Sequence, residues 1–313
     1  MGEFTIVTNV FDIGRGQDAN KVLSRTFDRY LEEFAYWARI KNHVIVYTDP
    51  SLSARVMEVR ERFGLGAQTT IIEIDDLFGI EPELLERMTK VTENQDFRDW
   101  RYFPNAFSNN PKYDYLWMMK SYFINDAYNR GLLGENVAWV DFGFDHGGTN
   151  YLDPADFDFL WEYEQLEKIH LFCLSDPDKL LGIDSLQMMD DCVMANMWCM
   201  PKKMAPDLWK LVRNAMEALL MLNCVDDDQQ LLLMSYKARP DLFQIHISDW
   251  SLPMKEMGAV HLRVKEKPVV VKKEVKPWIK QVKNVIRPLL WWKVDERREF
   301  AKRCFKRAER IFG

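Results

Sequence analysis

Apolar positions recur along this chain with two periods, and the alternation between the periods sets out its architecture. Residues 4–10 (FTIVTNV) are β-branched and apolar enough for a buried strand, closed by the polar, glycine-bearing stretch Phe11-Asp12-Ile13-Gly14-Arg15-Gly16. Leu23, Phe27, Tyr30, Leu31 and Phe34 then fall at helical spacing. Residues 43–48 (HVIVYT) predict a second strand ended by Asp49-Pro50, about 51–63 a helix, and 69–75 (TTIIEID) a third strand. Residues 81–113 mix a helical segment with Asn- and Pro-rich turns and are expected to form an irregular insertion. A long helix is predicted from about Tyr115 to Arg130, stopped by Gly131, and then the apolar strand Asn136-Val137-Ala138-Trp139-Val140 ending on Asp141. Further on come a strand at 169–174, a polar stretch at 175–191, a Met-, Cys- and Trp-rich segment at 192–200, a helix at about 206–222 and another opened by Asp226-Asp227-Asp228. Strands alternating with helices predict an α/β fold with a mostly parallel central sheet flanked by helices.

Charge changes the picture at the C-terminus. The chain of 313 residues carries a net charge of −6, yet residues 261–313 hold 17 basic and 6 acidic side chains, a net of +11, which leaves −17 on residues 1–260. The globular body is expected to end near residue 258. Beyond it lie a linker with two prolines (263–277) and a basic helical segment broken at Pro288. In that segment Trp278, Trp291, Trp292, Ile279, Val282, Ile286, Leu289 and Leu290 interleave with Lys280, Lys283, Arg287 and Lys293. Tryptophan on the apolar face of a basic helix suits the interface of an anionic membrane, at about 1 kcal/mol per basic residue. Residues 278–312 are therefore expected to dock on a membrane surface, with docking onto protein as the rival. Nucleic acid is not expected as a partner, because the acidic body repels phosphate backbones and no nucleic-acid motif is present.

Composition excludes little else. Apolar residues at 47% and charged residues at 29% are ordinary for a chain with a real core. The 11 tryptophans suit core, interface or sugar-stacking positions. Five cysteines without a CxxC pair argue against a zinc site and for reduced thiols. The opening has no basic region followed by a long apolar run, and no charge-free apolar run approaches about 18 residues. A cytoplasmic protein, peripheral on the inner face of the membrane, is the expectation.

Candidate chemistry centres on Trp139-Val140-Asp141-Phe142-Gly143. A strand that delivers a carboxylate to its C-terminal end places it where open α/β sheets bind ligands. Asp141 with Asp145 could hold Mn²⁺ or Mg²⁺, hard cations that take oxygen ligands. The alternative is that Asp141 only ends a strand. The first loop offers a Thr8-Asn9 edge able to bond a uracil, Asp12 to accept from a ribose hydroxyl, and Arg15 to fork onto phosphate. Lys120, on a largely apolar helix, is either a cation for a ligand or a snorkelling side chain. Asp226-Asp227-Asp228 would stabilise a helix N-terminus by capping alone. The functional alternative gives one of the three, Asp228 by preference and Asp227 as the other catalytic candidate, the work of general base on an acceptor hydroxyl or of holding acceptor hydroxyls.

The segments Thr5-Ile6-Val7-Thr8-Asn9-Val10-Phe11-Asp12-Ile13-Gly14-Arg15, Trp139-Val140-Asp141-Phe142-Gly143 and Asp226-Asp227-Asp228-Gln229-Gln230 together resemble the HtrL/YibB family, over about residues 4–250. That family is found around bacterial surface-polysaccharide loci and is related to glycosyltransferases of the GT-A fold. The resemblance implies a GT-A-like catalytic domain over 1–258 and a basic membrane-associating tail over 259–313. It implies a nucleotide-sugar donor, UDP-linked by preference, held by Thr8, Asn9, Phe11, Asp12, Arg15 and Lys120. It implies a lipid-linked glycan acceptor, as in lipopolysaccharide or capsule, and a metal on Asp141 with Asp145 or His146, and with His246 as a late ligand. One departure stands out: Gly143 occupies the place of the second carboxylate of the Asp-x-Asp element. The rival readings are a nucleotidyltransferase and a non-catalytic scaffold that binds glycan or protein.

Overall fold

A computed structural model describes residues 2–14, 26–101, 110–188 and 191–265. Arg15 and the basic segment 278–312 lie outside the described residues. The strands are β1 (Gly2–Val10), β2 (Val44–Thr48), β3 (Thr69–Glu73), β4 (Asn136–Val140), β5 (Glu162–Tyr163), β6 (Ile169–Cys173), β7 (Met197–Pro201) and β8 (Phe243–Ile247). The helices are α1 (Phe27–Trp37), α2 (Pro50–Glu61), α3 (Pro82–Glu93), α4 (Gln95–Trp100), α5 (Pro111–Asn129), α6 (Gly182–Met188), α7 (Ala205–Met221), α8 (Asp228–Ala238) and α9 (Pro253–Glu256).

The sheet runs β3-β2-β1-β4-β7-β6-β8, with β5 paired to the start of β1. Pairings β3–β2, β2–β1, β1–β4 and β6–β8 are parallel; β7 runs antiparallel to both β4 and β6. This is the mixed, mostly parallel α/β architecture that the alternating pattern predicts. Because β7 alone reverses within the main sheet, the carboxyl ends of β1, β2, β3, β4, β6 and β8 share one edge, and β7 begins at that edge. The chain goes from β1 outward to β2 and β3, then returns to place β4 on the other side of β1. The reversal opens a crevice between the carboxyl ends of β1 and β4, the position where such sheets take ligands.

Two-residue alternation sorts the side chains onto two faces. Val7, Ile45, Tyr47, Val137 and Trp139 pack in one core with residues of α3, α5, α7 and α8, among them Met88, Met119, Phe123, Leu208, Met216 and Leu232. Ile6, Val44, Val46, Ala138 and Val140 pack in the other with Phe34 and Trp37 of α1, Val56 and Val59 of α2, and Met254, Met257 and Leu262 near the end of the body. Strands β2 and β4 are buried on both faces, which explains their unbroken apolar runs.

Two buried polar side chains tie the elements of the second face together. The Arg60 guanidinium has no exposure and donates to the carbonyls of Ala38, Ile40, Asn42 and Gln68 and to Thr69 Oγ1, at 2.6–3.3 Å. The Asn42 amide ties β1 to the segment before β5 through Phe4 O and both the carbonyl and amide of Trp161. The packed body continues past residue 258. Ala259 and Leu262 are fully buried, Leu152 N donates to Arg263 O and Lys265 N to Asn150 O, so the unit extends through Lys265. No described helix is long and apolar enough to cross a membrane.

Candidate active site

The crevice between β1 and β4 holds the densest group of buried charges among the described residues. Helix α5, opened by an Asn110 side-chain cap and Pro111, crosses the first face and carries Lys120 under the carboxyl edge. The Lys120 ammonium, 6% exposed, lies 2.6 Å from Asp141 Oδ1 and 2.6 Å from Asp228 Oδ2, and donates to Ala195 O at 3.2 Å. The Asp228 oxygens make no hydrogen bond of good angle, so charge rather than direction holds that contact. The ammonium also sits 3.6 Å from the centre of the Trp117 ring, one helical turn earlier, which stabilises a desolvated cation. Trp139 adds an indole N–H to Asp141 Oδ1 at 2.7 Å. Asp141 is 19% exposed and is the one member of the trio that faces outward.

The three consecutive aspartates do three different jobs. Asp227 is the N-cap of α8, its side chain accepting from Gln229 N at 3.1 Å, as capping chemistry predicts. Asp226 accepts from Asp227 N and lies 3.3 Å from the buried Arg101 guanidinium, which also donates to Val225 O. Asp228, the first residue of the helix, pairs with Lys120. Asp114 stands close enough to feel the charge of all three and is fully buried, with neither oxygen hydrogen-bonded.

Carboxylates outnumber cations in this cluster, and burial drives every resolved pKa upward. Desolvation raises Asp226 to about 7, helped by its neighbour Asp227 and opposed by Arg101. Desolvation lifts Asp228 well above the ordinary carboxylate range against the pull of Lys120, and Asp227 is raised for the same first reason. Asp114 is raised well above its usual value by burial and then by Asp226 and Asp227. Asp226, raised to about 7, can exchange protons near neutral pH, which an exposed aspartate cannot.

The two faces decide which sequence candidates meet. Continuing the β1–β4 register, in which Val7 pairs with Trp139, places Asn9 beside Asp141 on the Lys120 face. Thr8 points to the opposite face, where its buried hydroxyl has no hydrogen-bond partner. Phe11 is 8% exposed and stacks on Phe123 with ring centres 5.7 Å apart, so it belongs to the core rather than to a base-stacking surface. Asp12 builds a turn: its amide donates to Asp49 Oδ2 and its Oδ1 accepts from Gly14 N, each at 2.9 Å.

The metal set expected from the sequence does not come together. Asp145 has both oxygens engaged, Oδ1 by Asn150 N and Nδ2 at 2.6 and 2.7 Å and Oδ2 by Tyr151 N at 3.0 Å, and so it folds its own loop. His146 is half-exposed and faces Glu33 of α1 at 3.8 Å. His246 pairs with His170 at 2.9 Å and stacks on Phe172, a residue of the second face. It lies three strands from β4, on the order of 14 Å at about 4.8 Å per strand. Among the described residues no three His, Cys, Asp or Glu are grouped to hold a metal ion. On Asp141 the oxygen nearest the crevice base already meets Lys120 and Trp139. These residues do not fit Mn²⁺ or Mg²⁺, which ask for several oxygens.

Gly143 also has a structural explanation. A Cβ there would stand 2.6 Å from Glu33 Oε2 and 3.5 Å from the Tyr30 ring. The space that the second carboxylate of an Asp-x-Asp element would need is filled by a carboxylate from α1.

Sequence reasoning missed Asp114, Arg101 and Asn196. Asp114 had a visible signal, a second charge on the same apolar helix as Lys120. Asn196 is the one uncharged polar side chain in the Met- and Cys-rich run before β7, and its carbonyl accepts from Asp141 N at 2.9 Å. Arg101 borders the insertion at 81–113 that no period resolves.

Comparison with known proteins places the chain. It is 33% identical over 264 residues to protein HtrL of Escherichia coli (strain K12), spanning 77% of this chain and 87% of that one. Among solved structures it is similar to mouse xyloside xylosyltransferase 1 in its apo form, at 10% identity and a TM-score of 0.39, over 78% of this chain and 84% of that one. Residues 2–254 match the family described as "Bacterial protein of unknown function (HtrL_YibB)", and the chain belongs to that family.

Proposed function

We propose that this protein is a glycosyltransferase that moves a sugar from a nucleotide-diphosphate donor, UDP by preference, to a hydroxyl of a surface glycan. One observation carries the reading: Lys120 gathers Asp141 and Asp228 at the β1–β4 switch point, one carboxylate open to the crevice and one buried with a raised pKa. In the reaction the acceptor oxygen forms a bond to the sugar's anomeric carbon as the bond to the diphosphate breaks. Asp228 takes the acceptor proton, a task suited to a carboxylate titrating above its usual range. Asp141 orients hydroxyls through its outward oxygen. Lys120, closed in by three oxygens, positions the two carboxylates and does not carry the leaving group. Asp227 is the cap of α8 and acts through Asp228. No step is assigned to a metal.

The acceptor is proposed to be lipid-linked and the protein to work at the cytoplasmic face of the membrane, because residues 278–312 interleave tryptophan with lysine and arginine. A second reading, a non-catalytic glycan binder, is favoured by the closed ion pairing of Asp141 and the filled space at Gly143.

Release of free UDP from UDP-sugars in the presence of lipid-extracted glycan tests the proposal. Wild type is expected to release UDP with at least one donor, and Asp228→Asn to lose at least about a hundredfold in kcat. Donor binding without turnover, unchanged in Asp228→Asn, would favour the binder. No binding of any nucleotide sugar by folded protein would sink the transferase.

A further inference from the structure

Two buried amide atoms flank Asp141 with nothing to bond. Asn9 Nδ2 and Asn196 Oδ1 are both out of solvent and lack a hydrogen-bond partner. Most buried polar atoms in folded proteins are paired, so an orphan at a crevice points to a partner supplied by a ligand. The register brings the two together. Asn9 is beside Asp141 on the β1 side, two residues past the Val7–Trp139 pair. Asn196 is across from Asp141 on the β7 side, one residue past the Val140–Met197 pair, its carbonyl holding the Asp141 amide. The row Asn9–Asp141–Asn196 spans three neighbouring strands, about 10 Å at roughly 4.8 Å per step.

We propose that this row is the subsite for the hydroxyls of the transferred sugar, with Asn9 and Asn196 as its specificity-determining residues. The inference rests on the transferase reading and deepens it. The chemistry of the row selects among the parts of a nucleotide sugar. Asn9 offers a donor, while Asp141 and Asn196 offer acceptors. A sugar hydroxyl both donates and accepts and so can bond to all three. A phosphate has only acceptors and meets a carboxylate at the centre of the row, so the diphosphate lies elsewhere. This also moves Asn9 from the base, where its place in the first loop suggests a uracil contact, to the sugar. Thr8 cannot join it, because its hydroxyl faces the other side of the sheet.

The test is isothermal titration of the full chain with UDP, UDP-glucose, UDP-galactose and UDP-N-acetylglucosamine, on wild type, Asn9→Ala, Asn196→Ala and Asn196→Ser, with melting temperatures of the unliganded proteins. Wild type is expected to bind at least one UDP-sugar more tightly than UDP. Each variant should lose about tenfold of that gain while its affinity for UDP stays unchanged. Unliganded melting temperatures should stay within about 2 °C of wild type, since no hydrogen bond of the free protein is removed. Variants that keep the sugar-dependent gain overturn the subsite and leave the transferase standing. Wild type that binds UDP and every UDP-sugar equally does the same. Both Asn196 variants failing to fold would assign Asn196 to structure and overturn its role. Folded wild type that binds neither UDP nor any UDP-sugar overturns the transferase reading and the subsite with it.

Discussion

Two carboxylates one turn apart in sequence, Asp141 and Asp145, sit in opposite chemical situations. Asp145 receives three N–H groups from Asn150 and Tyr151 and is closed within its loop. Asp141 receives one indole N–H and one ammonium and keeps part of its surface in the crevice. The contrast extends to the faces behind them. On the α1–α2 face the buried Arg60 meets five acceptors. On the α5–α8 face Asp114 meets none, and Asn9 and Asn196 carry orphaned atoms. The α1–α2 face has orphans of its own in the hydroxyls of Thr8, Thr48 and Tyr151, but those of the α5–α8 face include carboxylates and amides gathered near one strand end, where a ligand can meet them. Density of charge alone would not have told the two apart.

The strongest way to break this contrast is Lys120→Met, which strands Asp141 and Asp228 beside each other without a cation. Removing one partner of a buried ion pair costs about 3–5 kcal/mol. Urea denaturation should show a loss of that size, and adding Asp228→Asn should recover more than half. A loss under about 1 kcal/mol would mean that the pairs are not formed in solution.

Asp145→Ala examines the closed side. It leaves three donors unsatisfied and should cost about 2–3 kcal/mol by the same denaturation, with UDP-sugar binding retained. Loss of ligand binding with stability intact would return Asp145 to the site.

Gly143→Ala should cost about 1–3 kcal/mol through the clash with Glu33. In a Glu33→Ala background the cost should fall below about 1 kcal/mol. An equal cost in both backgrounds would refute the claim that Glu33 fills the place of a second carboxylate.

A smaller effect is expected from pH. Asp114, Asp226 and Asp228 all have folded pKa values raised above those of the unfolded chain. Their neutral forms favour the folded state, so this contribution is complete below about pH 4 and is lost as pH rises; for Asp226 the loss runs through about 7. The melting temperature of Asp114→Asn, compared with wild type between pH 5 and 8, should gain on wild type as pH rises. A constant difference would place Asp114 in a more polar setting than its burial indicates. The smallest effect should be that of Mn²⁺ alone, a melting shift below about 1 °C; a larger rise, abolished in Asp141→Ala, would restore a metal to Asp141.

Much of the fold was legible because it rests on period. The apolar runs at 4–10, 43–48 and 136–140 predict β1, β2 and β4, and the strand-end position of Asp141 follows from the last of these. What period could not give is which way a strand runs. The segment 192–200 shows apolar character alone, and the antiparallel course of β7 depends on pairing with β4 and β6, far away in the chain. The site was legible in part for the same reason. Lys120, Asp141 and Asp228 were singled out one by one, from three distant segments, and the tertiary fold joins them. Asp145, His146 and His246 were grouped with Asp141 by nearness in the chain or by residue type. Face decides otherwise: the side chains around them pack on the α1 side of the sheet, and Asp141 on the α5 side. Counting alternate positions from Val137 and from Val7 would have put Asp141 and Asn9 together and left Thr8 out.

The reversed course of β7 has a consequence for how this protein can diversify. A forward strand brings its last residue to the binding edge, so a change there passes directly into the loop that follows. β7 brings its first residue, and leaves the sheet at Pro201 on the far side, where Lys202 N bonds to Glu135 O. The lead-in that carries Asn196 is itself held in the core: Cys192, Val193, Met194 and Ala195 are buried, and it bonds to β6 and the residue after it through Leu174 N to Cys192 O and Met194 N to Phe172 O. Of residues 192–196 Asn196 alone is not buried, so a change of side chain there can alter the binding edge while the strand stays in place, whereas a change in the length of the stretch would disturb both cores.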